Sequence, residues 1–223
     1  MKRYLFMADD GWRYERRESL KYLNDKLDMH VATHDPGVAK MLEEDFEVVL
    51  LPLSPLKGKL SYTLVMFFAR ELDSMVVKTV QRIRFHFASP LMKLLHGVRR
   101  LAGALGLRRY TYARALKFLY RGSKMHTELL KQYDVLVSIP VNTIDKRIEY
   151  EAMALGLDVI CYVFSWDNPM KDSEMSPDAT KYLVWNRETK DELCERHDIE
   201  PERVGLVGPV QFDYLLEREP ARE

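Results

Sequence analysis

Short apolar runs separated by amphipathic stretches set the rhythm of this chain. Tyr4 to Ala8, Met29 to Ala32 and Phe46 to Leu51 are nearly continuous runs that read as strands buried on both faces. Between them the spacing predicts a helix from about Glu15 to Leu27, with Leu20, Leu23 and Leu27 on one face, and a short helix ending near Glu44. The same rhythm returns later. Strands are predicted at Asp134 to Ile139, Val159 to Phe164, Lys181 to Val184 and Val204 to Val207. Helices are predicted at Asp145 to Leu155, closed by Gly156 as a C-cap, and at about Glu188 to His197, with Asn186 as N-cap. Strands alternating with helices predict an α/β fold, a mainly parallel sheet of about seven strands with right-handed crossovers.

The stretch from Pro52 to Tyr133 breaks this rhythm and predicts a helical insertion at about 55–132, between the third and fourth strands. Its three helical patterns run roughly over 61–87, 90–106 and 109–132. In the middle one Leu91, Leu94, Leu95, Val98, Leu101, Ala102 and Leu105 share a face opposite Lys93, His96 and Arg100. The last places Leu116, Leu119 and Ser123 inward. From Ser74 to Thr127 there are twelve Lys or Arg residues and no acid. At the chain's average composition that segment would hold roughly eight acids, so its charge is segregated. Arg99, Arg100, Arg108, Arg109, Arg114, Lys117, Arg121 and Lys124, beside Phe85, Phe87, Leu91 and Leu95, are expected to meet an anionic membrane surface. The alternatives are an anionic soluble acceptor and a solvated basic face. No nucleic-acid motif accompanies the charge, so no nucleic-acid partner is expected.

With 34 basic and 34 acidic residues over 223 positions, the mean charge indicates no partner, and the length suffices for a substantial core. The apolar start Tyr4 to Ala8 is closed by Asp9 and Asp10 and does not read as a secretory signal. Thr63 to Ala69, the longest apolar run, is far short of the ~20 residues that a spanning helix needs. A cytoplasmic location is expected, peripheral on the inner membrane face if the basic helices bind lipid. Cys161 falls in a predicted strand and Cys194 in a predicted helix, which favours reduced packing residues over a disulfide. No metal-ligand cluster is evident. The first loop has one glycine, Gly11, and lacks the G-x-G-x-x-G spacing, which argues against dinucleotide binding there. No cofactor is expected.

Ligands of open parallel sheets bind beyond the carboxyl ends of the strands, so the strand endings nominate a site. These are Asp9, Asp10 and Gly11; His34 and Asp35; Asn142 and Thr143; Ser165, Trp166, Asp167 and Asn168; and Trp185 and Asn186. A general base on this rim would be Asp167 first, then His34, then Asp10. The alternative for Asp167 and Asn168 is a turn in which they bond backbone amides, and for His34 an exposed loop position. Trp166 and Trp185 could stack on a sugar ring or serve as packing residues.

Three stretches carry a family resemblance: the Ser165-Trp166-Asp167-Asn168 loop, the step Val184-Trp185-Asn186, and the exit Gly208-Pro209-x-Gln211-Phe212-Asp213. Together they resemble the end of the N-terminal domain of GT-B glycosyltransferases of the bacterial surface-carbohydrate type, architectural relatives of the sugar-nucleotide 2-epimerases. The resemblance implies that 1–213 form a Rossmann-like acceptor-side domain and that 214–223 begin a linker or a frayed tail. It implies a glycosyltransferase moving a sugar from a nucleotide-sugar donor to a membrane-linked or polymeric carbohydrate acceptor, without metal. The donor would be held mainly by a second domain, so these residues alone are expected not to turn over nucleotide sugar. Alternatives are a sugar-nucleotide 2-epimerase, a glycerophosphate transferase of similar fold, or a non-enzymatic domain that binds a membrane or a partner protein.

Overall fold

The computed structural model describes residues 1–9, 17–52, 101, 104–105, 122–139, 146–165, 169, 175–176, 178–197 and 199–209. Seven strands form one sheet: β1 (Arg3–Met7), β2 (Asp28–Thr33), β3 (Val48–Leu50), β4 (Val135–Ser138), β5 (Asp158–Tyr162), β6 (Lys181–Val184) and β7 (Val204–Leu206). Their order is β3-β2-β1-β4-β5-β6-β7, and every neighbouring pair is parallel. The fold is α/β and Rossmann-like. All seven expected strands are present, each within two residues of its expected limits. Phe46 sits just ahead of β3 and packs in the core rather than in the ladder.

Alternation along β1 explains how both faces of the sheet become dry. Leu5 and Met7 point into one apolar cluster, whereas Phe6 and Ala8 point into the other. Leu20 of α1 (Arg17–Asn24) and Leu42 of α2 (Pro36–Leu42) cover the Phe6 face. The Leu5 face is covered by Leu130 of α3 (Thr127–Leu130), Ile148 and Ala152 of α4 (Arg147–Ala154) and Leu193 of α5 (Arg187–His197). A sheet covered on both sides needs apolar residues at successive strand positions, the pattern that identified these strands.

Caps set the helix limits. Asp35 Oδ1 accepts from the backbone N–H groups of Gly37 (2.6 Å) and Val38 (3.2 Å), with Pro36 at the first helical position of α2. Asn186 Oδ1 accepts from Thr189 N (2.8 Å) and Thr189 Oγ1 (2.7 Å), so it caps α5 as expected. Gly156 closes α4 with φ +82°, a left-handed conformation that other residues adopt only with strain.

Two expectations about helices need correction. The first helix ends at Asn24 rather than Leu27, because the chain turns at Asp25 and Lys26. The expected helix over 109–132 is not continuous. Gly122 takes φ +82°, residues 122–126 are not helical, and among the described residues of that range Thr127–Leu130 are. The donors of that break turn to a carboxylate on α4, described below. Of the rest of the insertion, Leu101 and Ala104 are helical, and most other positions lie outside the described residues.

Candidate functional site at the carboxyl edge of the sheet

The chain runs outward from β1 through β2 to β3, then crosses back to β4 on the other side of β1. The topological switch therefore lies between β1 and β4, where open α/β sheets form their ligand crevice. At this edge Asp9 follows β1 and His34 follows β2. Pairing of Met7 with Ala32, and a bond from Ala8 N to Ala32 O (2.8 Å), bring the two loops side by side.

Asp9 and His34 form a buried pair, with exposures of 2% and 1%. The Asp9 carboxylate accepts the His34 backbone N–H (2.7 Å), and its oxygens lie 2.9 and 3.0 Å from His34 Nδ1. A carboxylate facing Nδ1 favours the neutral tautomer with its proton on Nδ1, and in that tautomer Nε2 is an acceptor. Thr33 Oγ1 donates to Asp9 (3.3 Å) and accepts from Asp35 N (3.1 Å), adding a third donor to the same carboxylate. Buried His34 Nε2 has no hydrogen-bond partner among the described residues. The expected alternative for His34, an exposed loop histidine, is overturned by this burial.

A second histidine adjoins the first. His126, 1% exposed, stands edge-on to His34 with ring centroids 6.1 Å apart and planes at 90°. Its backbone N–H donates to Glu151 Oε2 of α4 (2.7 Å), and its Nδ1 is 3.5 Å from Glu151 Oε1. Glu151 also accepts from Met125 N (3.1 Å), Ser123 Oγ and, weakly, Thr127 Oγ1 (3.5 Å). One carboxylate on α4 thus gathers donors from Ser123, Met125, His126 and Thr127.

A third group lies against the apolar face below β4. Glu149 Oε1 accepts from Ser138 Oγ, at the end of β4, and from Lys146 Nζ (3.3 Å), with Glu149 wholly buried. Such a pair offsets much of its own desolvation and ties the start of α4 to β4. Burial pushes the Cys161 thiol on β5 well above its ordinary range, and the nearby Glu149 charge adds to the effect. Both cysteines are free.

The other expected site residues distribute as follows. Ser165 and Trp185 are half-buried just beyond β5 and β6, and Asn186 is exposed but spends its amide oxygen on the cap of α5. At a strand spacing near 4.8 Å, β5 and β6 lie about 10 and 14 Å along the edge from β1, a span suited to an extended ligand. Asp35 is a helix cap. Asp10, Gly11, Asn142, Thr143, Trp166, Asp167 and Asn168 lie outside the described residues, as do Arg99, Arg100, Arg108, Arg109, Arg114, Lys117 and Arg121; Lys124 is exposed. Among the described residues no group of three or more His, Cys, Asp or Glu side chains could hold a metal ion, and no helix is long and apolar enough to cross a membrane.

Sequence reasoning missed Glu151, Glu149 and His126. A signal for Glu151 existed, because it falls between Ile148 and Ala152 on the apolar stripe of its helix, where an acid is out of place unless donors meet it. His126 carried none, since the expected helix ran through it. No protein-family model matches this chain, and no curated protein matches it.

Proposed function

We propose that this chain is the acceptor-side domain of a nucleotide-sugar-dependent glycosyltransferase whose acceptor is a membrane-linked or polymeric carbohydrate. The observation that carries the reading is His34 Nε2, a buried ring nitrogen at the switch-point edge with no partner among the described residues, on an imidazole whose other nitrogen is bonded to Asp9. Leaving such an atom unmet is costly, so its natural occupant is a donor from a ligand. A sugar hydroxyl is such a donor. His34 takes the hydroxyl proton as the acceptor oxygen bonds to the anomeric carbon, and the nucleoside diphosphate departs with the electrons of the broken C–O bond. Asp9 holds the ring and faces the positive charge that forms on it.

This reading puts His34 ahead of Asp167 and Asp10 as base, on the strength of its bond to Asp9 and its buried Nε2. The acid-free segment from Ser74 to Thr127 supports an anionic membrane as the place where a lipid-linked acceptor is met. Binding tests the assignment. Carbohydrate acceptors, free and lipid-linked, titrated into nitrogen-labelled protein should shift the His34 ring and amide resonances. Saturating acceptor that leaves these resonances in place removes the reading.

A further inference from the structure

We propose that His126 and Glu151 are positioning residues for His34: Glu151 fixes the segment that leads out of the insertion, and His126, carried on that segment, sets the tilt of the His34 ring. The inference rests on the reading of His34 as the proton acceptor. It adds a function for two buried residues that never reach the sugar.

Asp9 does not hold the His34 ring completely. Its bonds to the backbone N–H and Nδ1 of His34 fix the tautomer and the direction in which the ring edge points. They leave the ring plane some freedom to rock, because carboxylate acceptors tolerate a broad range of approach. A perpendicular ring at 6.1 Å favours one tilt over the others, as edge-to-face aromatic pairs do. His126 restrains His34 only if it is itself held, and its own segment is not regular structure. Glu151 supplies the restraint by taking Ser123, Met125, His126 and Thr127 donors on one buried carboxylate. The arrangement repeats itself: Asp9 holds the backbone N–H and faces Nδ1 of His34, while Glu151 holds the backbone N–H and faces Nδ1 of His126. Two carboxylates, on β1's loop and on α4, thus pin two rings against each other. The second pin ties the end of the basic insertion to the proton-accepting centre.

Imidazole nitrogen spectra of the full chain give the test, because they report His34 directly and need no turnover. The parent should show His34 with Nδ1 protonated and Nε2 bare, and a slowly exchanging Nδ1 proton. His126→Phe keeps a ring of similar shape and should preserve this signature, whereas His126→Ala should speed exchange of that proton about tenfold by opening the site. Glu151→Gln, which touches no atom of His34, should move the spectrum in the same direction as His126→Ala. If His126→Ala does not fold, His126→Phe against His126→Gln makes the same comparison. A folded His126→Ala or His126→Gln protein with an unchanged His34 spectrum makes His126 a packing residue and overturns the proposal. The two readings fail separately. Should the spectra move as expected while saturating carbohydrate acceptor leaves the His34 resonances of the parent in place, the positioning stands and the base assignment falls.

Discussion

Asp9 takes the backbone N–H and the ring Nδ1–H of His34 on one carboxylate, at 2.7 and 2.9 Å. The pair joins the loops after β1 and β2, whose strands the sheet holds in register from Arg3↔Asp28 to Met7↔Ala32, so the sheet brings the two side chains together. The first prediction follows from the tautomer. Asp9→Asn keeps size but presents an amide that can donate to Nδ1, which drives the ring proton to Nε2 and removes the acceptor. In a form that also carries a donor-binding domain, sugar transfer should fall by about 10²- to 10⁴-fold, the usual worth of a general base. Stability should fall by only about 1–3 kcal/mol for one compromised buried bond. Nucleoside diphosphate release and urea unfolding measure the two separately, and parent-level transfer would take the base role from His34.

Glu151→Ala should be among the most damaging single truncations in the domain. It strands the Met125 and His126 backbone N–H groups, which the carboxylate accepts at 3.1 and 2.7 Å inside a nearly sealed site. Each unsatisfied buried donor costs about 1–3 kcal/mol, so a loss of about 2–5 kcal/mol is expected from urea midpoints. A midpoint equal to the parent's would mean that water replaces the carboxylate without penalty.

The sheet was legible because its inner strands are buried on both faces and bounded by polar residues, whereas the edge strands β3 and β7, half-buried or exposed at most positions, were legible from their apolar runs alone. The caps were partly legible: Asn186 and Gly156 lie where local chemistry alone demands them, whereas Asp35 read as a ligand residue although it immediately precedes Pro36 at a helix start. The site was legible as an edge but not as a mechanism. His34 and Asp9 could each be nominated from their place after a strand, but their contact depends on the parallel register of β1 and β2. The helical spacing over 109–132 hid the break at Gly122, because Ser123, Met125 and His126 bond to Glu151 from a distant part of the chain. Local propensity carries no information about such a partner.

Buried acids of another kind govern the alkaline side. Burial raises the thiol of Cys161 and, by a large margin, the phenol of Tyr182, both packed in the core against β5 and β6. Each keeps its proton in the folded chain at a pH where the unfolded chain releases it, so folding is opposed as pH rises through the unfolded values, about 8.5 for a thiol and about 10 for a phenol. The slope is at most about 1.4 kcal/mol per pH unit per group. Urea midpoints should therefore be flat near neutrality and drop above pH ~9. Cys161→Ala should lessen the drop, although it costs some packing at neutral pH. In native protein iodoacetamide should reach half-buried Cys194 before Cys161, because the thiolate is the reactive form. Equal labelling of both without unfolding would contradict the burial of Cys161.

The last prediction separates a surface-bound transferase from one that meets its acceptor in solution. If the acid-free segment faces an anionic bilayer, the protein should co-sediment with liposomes containing acidic lipid and not with neutral ones. Each basic residue near such a surface contributes about 1 kcal/mol, so even part of the cluster Arg99, Arg100, Arg108, Arg109, Arg114, Lys117, Arg121 and Lys124 would give measurable binding. Salt fixes the mechanism. The screening length falls from ~10 Å at ~0.1 M salt to ~3 Å at ~1 M, so binding by charge alone should nearly vanish, whereas insertion of Phe85, Phe87, Leu91 or Leu95 leaves a salt-resistant remainder. Replacing Arg99, Arg100, Arg108 and Arg109 with Gln should weaken sedimentation while leaving the unfolding midpoint nearly unchanged, since exposed charges contribute little to stability. If the replacement instead melts the domain, and the parent ignores acidic liposomes at low salt, the basic segment is part of the fold and the acceptor is reached in solution.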